Sequence, residues 1–195
     1  MNIVSRYHPL LVLLHWLLAF LIIGALFFGA AIMAHTSNAN PAKIEMLQKH
    51  MGAGFAILAL VLVRLLVRSR TSHPAIASAG NPWLDRLAWV SHRLLYVAVL
   101  GQAGSGAIMA LQTRLPQIVY EHQGTLPADF WAFPIRHAHY GFSRLLMALI
   151  ALHLAGAFYH TFVLRDRLLQ RMGFGRRHIQ QPSPVVNRKP REVQQ

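Results

Sequence analysis

The chain has 195 residues, of which 54% are hydrophobic and only 13% are charged. Because soluble domains carry about 25% charged residues, this composition indicates an integral membrane protein. The formal net charge is +13, but no nucleic-acid-binding motif accompanies it, and we expect no nucleic-acid partner. Cysteine is absent, which excludes disulfides, thiolate-bound iron–sulfur clusters and zinc–thiolate sites.

Four apolar segments predict membrane-spanning helices, since about 20 residues cross the hydrocarbon core of a bilayer. The first covers about 9–33, within a stretch that has no charged residue from position 7 to position 42. The second and third cover about 43–68 and 83–111, and the fourth is centred on the uncharged stretch 145–164. We therefore predict an all-α membrane fold, a four-transmembrane-helix bundle with up-down-up-down topology.

The connections between these segments differ in length. Residues 36–41 and 68–82 are rich in turn-forming residues, whereas residues 112–136 form a long irregular connection in which Asp129-Phe-Trp-Ala-Phe predicts a short surface helix. We expect one transmembrane domain over residues 1–172, followed by a disordered basic tail over residues 173–195.

The distribution of basic residues predicts the orientation of the chain. Fourteen of the 19 Lys and Arg residues fall on the side that holds the N-terminus, the second-to-third connection and the tail, four fall on the opposite side, and Arg144 lies within the membrane. Basic residues flank membrane spans on the cytoplasmic side. We therefore expect an inner-membrane protein with both termini in the cytoplasm.

His139, His153 and His160 are spaced fourteen and seven residues apart in the fourth segment. Both intervals are close to whole numbers of helical turns, so the three imidazoles share one face of the helix. At 1.5 Å per residue, His139 and His153 lie ~21 Å apart along the axis, one near each surface of the hydrocarbon. Ionisable side chains inside a membrane are costly without partners, so this spacing predicts partners at two depths.

The first and second segments each carry one histidine at a matching depth. The first segment runs outward and places His15 near the inner surface, whereas the second runs inward and places His50 near the outer surface. We therefore predict that His15 pairs with His153 and that His50 pairs with His139.

Bis-imidazole pairs suit b-type haem, whose iron takes histidine as its axial ligand on either face. Zinc or copper would recruit three or four ligands, including carboxylates or thiolates, and a proton relay would need acidic residues inside the helices. Arg64 lies fourteen residues from His50, on nearly the same face, where it needs an anion such as a haem propionate. Glycines beside the predicted ligands would leave room for a macrocycle: Gly52, Gly54, Gly141 and Gly156. A haem-free transporter or adaptor that uses the histidines as polar contacts is the alternative from a different class.

The arrangement of these residues resembles the bacterial cytochrome b561 family over residues 5–172. The resemblance lies in His15-Trp16, in His50-x-Gly-x-Gly with Val63-Arg64-Leu-Leu, in His92, and in His139-x13-His153-x6-His160. It implies an inner-membrane bundle with two non-covalent haem b groups, the inner one on His15 and His153 and the outer one on His50 and His139. It also implies that His92 and His160 help to form a quinone site; the alternative for these two histidines is that they make helix-end contacts or bind a haem propionate.

Some members of this family are superoxide oxidases, which pass one electron from periplasmic superoxide through the haems to ubiquinone. The resemblance therefore implies a membrane oxidoreductase whose donor is superoxide and whose acceptor is ubiquinone. Lys49, Arg114 and Arg136 would form an electropositive outer mouth that attracts the anion. The alternative within the same fold is a cytochrome b subunit that serves a periplasmic dehydrogenase or hydrogenase. Membrane lipid and quinone are the expected partners in either case.

Overall fold

The structure, a computed structural model, describes residues 3–75, 77–166, 168–173 and 179–180. Its architecture is set by five α-helices, four of them long and one short. They are α1 (Pro9–Phe27), α2 (Ala42–Arg70), α3 (Pro82–Gln112), the short α4 (Leu115–Tyr120) and α5 (Pro134–Phe158).

Two of the long helices continue beyond their regular part. A π-helical turn and a 3₁₀ turn extend α1 to His35, and a π-helical turn over Tyr159–Val163 extends α5. With these extensions, four helical segments of 27 to 31 residues are long and apolar enough to cross a membrane. Large apolar side chains cover their outer surface, with Phe20 76% and Phe162 70% exposed, as expected for side chains that face lipid. The predicted all-helical, four-span fold is confirmed.

The beginnings of three long helices follow from local sequence. Proline occupies the first turn of α1, α3 and α5, where its missing N–H costs no hydrogen bond. Before α1, the His8 side chain accepts a hydrogen bond from the Leu10 amide, and before α3 the Asn81 side chain accepts one from the Trp83 amide. These N-caps satisfy amides that have no partner within the helix.

The bundle is held by one apolar core through its middle. Helix α1 packs along α2, and α3 packs along α5. Leu18 of α1, Val61 of α2 and Leu149 of α5 belong to the same buried cluster. Together with the histidine contacts described below, this shared cluster shows that α2 and α5 run in one direction and α1 in the opposite direction. We call the end of the bundle with residues 5–8, 71–81 and 164–173 the inner end, and the end with residues 36–41 and 113–133 the outer end.

The outer connection between α3 and α5 differs from its prediction. Its helix is α4, whereas the expected surface helix at 129–133 is only a single 3₁₀ turn, Phe130–Ala132. Helix α4 forms because Leu115 and Val119, four residues apart, are both buried against Leu47 of α2. The α-helix of this connection therefore forms where apolar side chains pack on the bundle, and not at the aromatic stretch that suggested a helix.

The inner end is covered by the chain that follows α5. The Trp16 indole donates to the Met172 carbonyl over 2.9 Å, and the Tyr7 amide donates to the Arg171 carbonyl. Ile3–Val4 pairs with Ile179–Gln180 as a two-residue antiparallel ladder. The second of these two strands lies within the predicted tail 173–195. Positions 174–178 and 181–195 lie outside the described residues, and the disorder of the tail remains a prediction.

Candidate functional site

The outer histidine pair joins α2 to α5. The ring centroids of His50 and His139 are 6.2 Å apart, and the two ring planes are inclined by 80°. Both rings line a cavity of about 590 Å³ that opens toward the outer end of the bundle. This volume falls in the range of ligand-binding pockets.

Hydrogen bonds from α3 fix the orientation of the His139 ring. Its Nδ1 donates to the Gln102 carbonyl over 3.1 Å, and the Ser105 hydroxyl lies 3.1 Å from the same nitrogen. The Gln102 side-chain amide donates to Nε2 over 3.0 Å. Nε2 therefore carries the lone pair and is the nitrogen suited to bind a metal, because the bond made by one ring nitrogen decides the role of the other.

The Nδ1 atom of His50 is buried and has no hydrogen-bond partner among the described residues. Two glycines allow the outer rings to lie against the helices. A Cβ at Gly29 would lie 3.4 Å from His50 Cε1, and a Cβ at Gly106 would lie 3.1 Å from His139 Cε1. A buried ring nitrogen without a partner is uncommon and calls for a ligand.

The inner histidine pair joins α1 to α5. The ring centroids of His15 and His153 are 6.1 Å apart, with the planes inclined by 70°. The His92 ring of α3 stands closer to His153, at 5.2 Å between centroids, and its Nδ1 donates to the Ala88 carbonyl over 2.6 Å. Three imidazoles from three helices therefore meet at this end.

The spacing of both predicted pairs fits an iron held between two imidazoles. Two metal–nitrogen bonds of about 2 Å and the two ring radii together separate the centroids by about 6 Å. The His92–His153 distance is too short for such an arrangement. In the described part of the chain, no group of three or more His, Cys, Asp or Glu side chains comes together as a metal site. The residues therefore fit a metal whose equatorial ligands come from a macrocycle, as in b-type haem.

The glycines expected to leave room for a macrocycle are consistent with this fit. A Cβ added at any of them would meet no other atom within 4 Å; they are Gly52, Gly54, Gly141 and Gly156. Gly54 also lines the outer cavity.

Arg64 is buried, with 8% of its surface exposed, close to the inner pair. Its Nη1 donates to the Leu11 carbonyl over 2.6 Å, and its Nε donates to the Tyr96 hydroxyl over 3.2 Å. No carboxylate of the described chain pairs with it. A guanidinium has five N–H groups, so donors remain for an anion beside the inner pair.

His160 lies in the π-helical turn that ends α5. Its Nδ1 forms an ion pair with Asp166 Oδ2 at 2.5 Å. This contact with His160, followed by the Leu168 amide, holds the pKa of Asp166 below its usual range. A depressed carboxyl pKa stabilises the fold at neutral pH, and that contribution is lost only as the pH falls through the depressed value.

The basic residues that line the outer mouth are not all the ones that the sequence predicted. Lys49 is paired with Glu45 on the exposed face of α2, whereas the buried Lys43 lines the cavity and donates to the Met33 and Thr36 carbonyls. Arg136 also lines the cavity, with its guanidinium 4.4 Å from the centre of the Trp131 ring. Lys43 lies seven residues before His50, two helical turns away on the same face of α2. From the sequence, this spacing could have indicated that Lys43 lines the same cavity as His50.

Comparisons with known proteins agree with this architecture. The sequence profile described as prokaryotic cytochrome b561 matches residues 6–175. Cytochrome b561 homolog 1 of Escherichia coli (strain K12) is 23% identical over 171 residues, which cover 86% of this chain and 97% of the relative. The probable superoxide oxidase CybB of Yersinia pestis is 26% identical over 180 residues, which cover 86% of this chain and 96% of the relative.

A bundle of four membrane-spanning helices with histidine pairs inside it defines, as a class, a membrane-embedded electron-transfer protein. Because the profile match extends over most of its length, the chain belongs to the prokaryotic cytochrome b561 family. It is accordingly a multi-pass inner-membrane oxidoreductase that transfers electrons by means of b-type haem.

Proposed function

We propose that this chain conducts electrons across the membrane through two b-type haems, from a donor at the outer end to quinone at the inner end. His50 and His139 would hold the outer haem, and His15 and His153 the inner one. The observation that carries this proposal is the near-identical spacing, 6.2 and 6.1 Å, of two histidine pairs at opposite ends of α5. Each haem, when bound, would supply a one-electron iron couple.

The chain contributes position, charge and exclusion of water. The Gln102 carbonyl holds His139 through Nδ1, which would leave Nε2 to bind the iron. Arg64 places a positive charge beside the inner pair, suited to a carboxylate such as a haem propionate. The apolar cluster around Leu18, Val61 and Leu149 fills the middle of the bundle between the two pairs. Histidines fourteen residues apart on α5 place the two pairs about 20 Å apart along the helix axis.

The proposed electron donor is superoxide, which is oxidised to dioxygen. Two features support it: one relative is named as a probable superoxide oxidase, and Lys43 and Arg136 line the cavity that leads to the outer pair. Positive charge at a cleft attracts an anion and raises its local concentration. Two superoxide anions supply the two electrons that, with two protons, convert one quinone to quinol.

The proposed acceptor is ubiquinone, bound near His92 and His160. The support is that His92 lies against the inner ligand His153, and that His160 follows His153 by two helical turns on the same helix. An acceptor at this place would take electrons from the inner haem and protons from the inner surface. The orientation proposed with it has both termini in the cytoplasm, as the basic residues indicate.

Reduction of the purified chain tests this proposal. Under anaerobic conditions, superoxide is expected to reduce the haems of the isolated protein, and added ubiquinone is expected to reoxidise them. Superoxide dismutase, added first, is the control that should prevent reduction. If dithionite reduces the haems and superoxide does not, superoxide is not the donor, and the cytochrome b subunit of a periplasmic dehydrogenase or hydrogenase becomes the better proposal. A preparation without a haem spectrum would favour the haem-free membrane protein.

A further inference from the structure

Helix α3 holds the outer histidine of α5 through two oxygen atoms at once. The Nδ1 atom of His139 lies 3.1 Å from the Gln102 carbonyl and 3.1 Å from the Ser105 hydroxyl. Gln102 and Ser105 are three residues apart in α3, so they are neighbours on one side of that helix. The His139 ring therefore meets α3 with the edge that carries Nδ1.

Ser105 is a buried serine, with 5% of its surface exposed. A buried hydroxyl costs free energy unless it forms hydrogen bonds. The Ser105 hydroxyl donates its one hydrogen to the Gln102 carbonyl over 3.1 Å, which leaves the lone pairs of its oxygen to accept. The direction of its bond to His139 follows from this: the imidazole N–H donates, and the hydroxyl oxygen accepts.

The contact between the ring and α3 is close. A Cβ at Gly106, the residue after Ser105, would lie 3.1 Å from His139 Cε1 and 3.4 Å from its Nδ1. The side-chain amide of Gln102 bonds the other ring nitrogen, Nε2, over 3.0 Å. That bond would have to give way if Nε2 bound iron, whereas the two bonds at Nδ1 would remain.

This hydroxyl distinguishes His139 from the other predicted ligands. Among the residues that the structure describes, no serine, threonine or tyrosine hydroxyl bonds a ring nitrogen of His15, His50 or His153, and Nδ1 of His50 is buried without any partner. The outer pair therefore contains a ring with two acceptors at Nδ1, and the inner pair contains none. Such a difference acts on the outer site alone.

We propose that Ser105 is a positioning residue that acts through His139 to lower the midpoint potential of the outer haem, and so favours movement of the electron toward the inner end. The inference rests on the proposed function, in which His139 binds the iron of the outer haem. An acceptor at Nδ1 draws the N–H proton away from the ring, which makes Nε2 a stronger donor to a metal. A stronger donor favours ferric over ferrous iron, and hydrogen bonding to the ligands is one of the means by which a protein sets a haem potential.

The test is a spectroelectrochemical titration of Ser105→Ala holoprotein beside the unmodified holoprotein. The substitution removes the hydroxyl but leaves the Gln102 carbonyl to hold Nδ1, so we expect the haem content to be unchanged. Loss of one hydrogen bond should raise the ratio of ferrous to ferric outer haem, at a fixed applied potential, by about twofold to tenfold. For a one-electron couple, a tenfold change in this ratio is a rise of about 59 mV in the midpoint potential. The inner midpoint potential should not move.

Ser91→Ala is the matched control on the same helix. Ser91 is also 5% exposed, and its hydroxyl likewise donates to a backbone carbonyl, that of Ala88, over 3.0 Å. It lies fourteen residues before Ser105, toward the inner end, so its loss should leave the outer midpoint potential unchanged. The midpoint that Ser105→Ala raises should also be the one that Arg64→Met does not move, because Arg64 lies beside the inner pair.

The possible results separate this inference from the proposed function. Midpoint potentials that stay the same in Ser105→Ala, or that both rise equally, would overturn the inference. A rise of the outer potential in Ser91→Ala as large as that in Ser105→Ala would overturn it too, because loss of any buried hydroxyl would then have the same effect. Loss of the outer haem from Ser105→Ala would make the hydroxyl a requirement for binding and not a determinant of the potential. If the unmodified protein holds fewer than two haems, the proposed function itself fails.

Discussion

At the scale of single residues, the two histidine pairs have the same spacing but different support. His139 is held through Nδ1 by the Gln102 carbonyl, whereas no hydrogen bond to a ring nitrogen of His15, His50 or His153 is found among the described residues. The spacing of the ligands was accessible from the sequence, because positions along a helix follow from its rise and pitch. The role of Gln102 was not, since it depends on how α3 packs against α5.

Arg64 provides a prediction about the inner pair alone. Its guanidinium bonds the Leu11 carbonyl and lies near His15 and His153. Arg64→Met should lower the midpoint potential of the inner haem, because a nearby positive charge favours the reduced form, and should leave the outer potential unchanged. The unpaired Leu11 carbonyl should also cost about 1–3 kcal/mol of stability.

Spectroelectrochemical titration measures both potentials in the Arg64 variant. Arg68→Met is the matched control, because Arg68 lies one turn further along α2 but is exposed. Equal effects of the two substitutions, or a shift confined to the outer haem, would contradict the placement of Arg64 beside the inner pair.

At the scale of helices, the contact between α3 and α5 depends on one glycine. A Cβ at Gly101 would come within 2.5 Å of the Phe142 ring, whereas a Cβ at Gly104 would meet nothing within 4 Å. Small residues at such positions let two membrane helices approach closely. The sequence alone could not show that Gly101, and not its neighbour Gly104, faces Phe142.

The two glycines make a matched pair of substitutions. Gly101→Ala should destabilise the protein by about 1–3 kcal/mol, because the added methyl group forces the Phe142 ring or the helices to move. Gly104→Ala should be neutral or stabilising by up to about 1 kcal/mol, since alanine is the better helix former. Thermal denaturation in detergent, followed by circular dichroism, compares them. Identical melting of the two variants would show that α3 and α5 are not in close contact at Gly101.

Helix bounds could be predicted to within a few residues where apolar length decides them, as for α2 and α3. The outer connection could not, because the burial of Leu115 and Val119 against Leu47 is a tertiary contact. Asp166 was missed for a related reason. It is separated from His160 by five residues, and only the tight turn at Arg165 brings the two together.

At the scale of the whole molecule, the asymmetry of basic residues leads to a prediction about topology. The chain has no cysteine, so single cysteines can be introduced without any background. Ala39→Cys at the outer end and Ala75→Cys at the inner end both replace exposed alanines. A membrane-impermeant maleimide should label Cys at position 39 in spheroplasts, and should label position 75 only after the membrane is permeabilised. The reverse pattern would contradict the proposed orientation and the side on which superoxide is consumed.

The central claim is that one chain holds two haem b groups, each between two imidazoles at one end of the bundle. The measurement that tests it most directly is the pyridine haemochrome assay, normalised to protein, on the unmodified chain and on His153→Ala and His139→Ala. We expect two haems per chain in the unmodified protein and one in each variant, since each substitution removes a ligand from one site only. A colourless preparation, or two haems per chain retained in His153→Ala, would contradict this account.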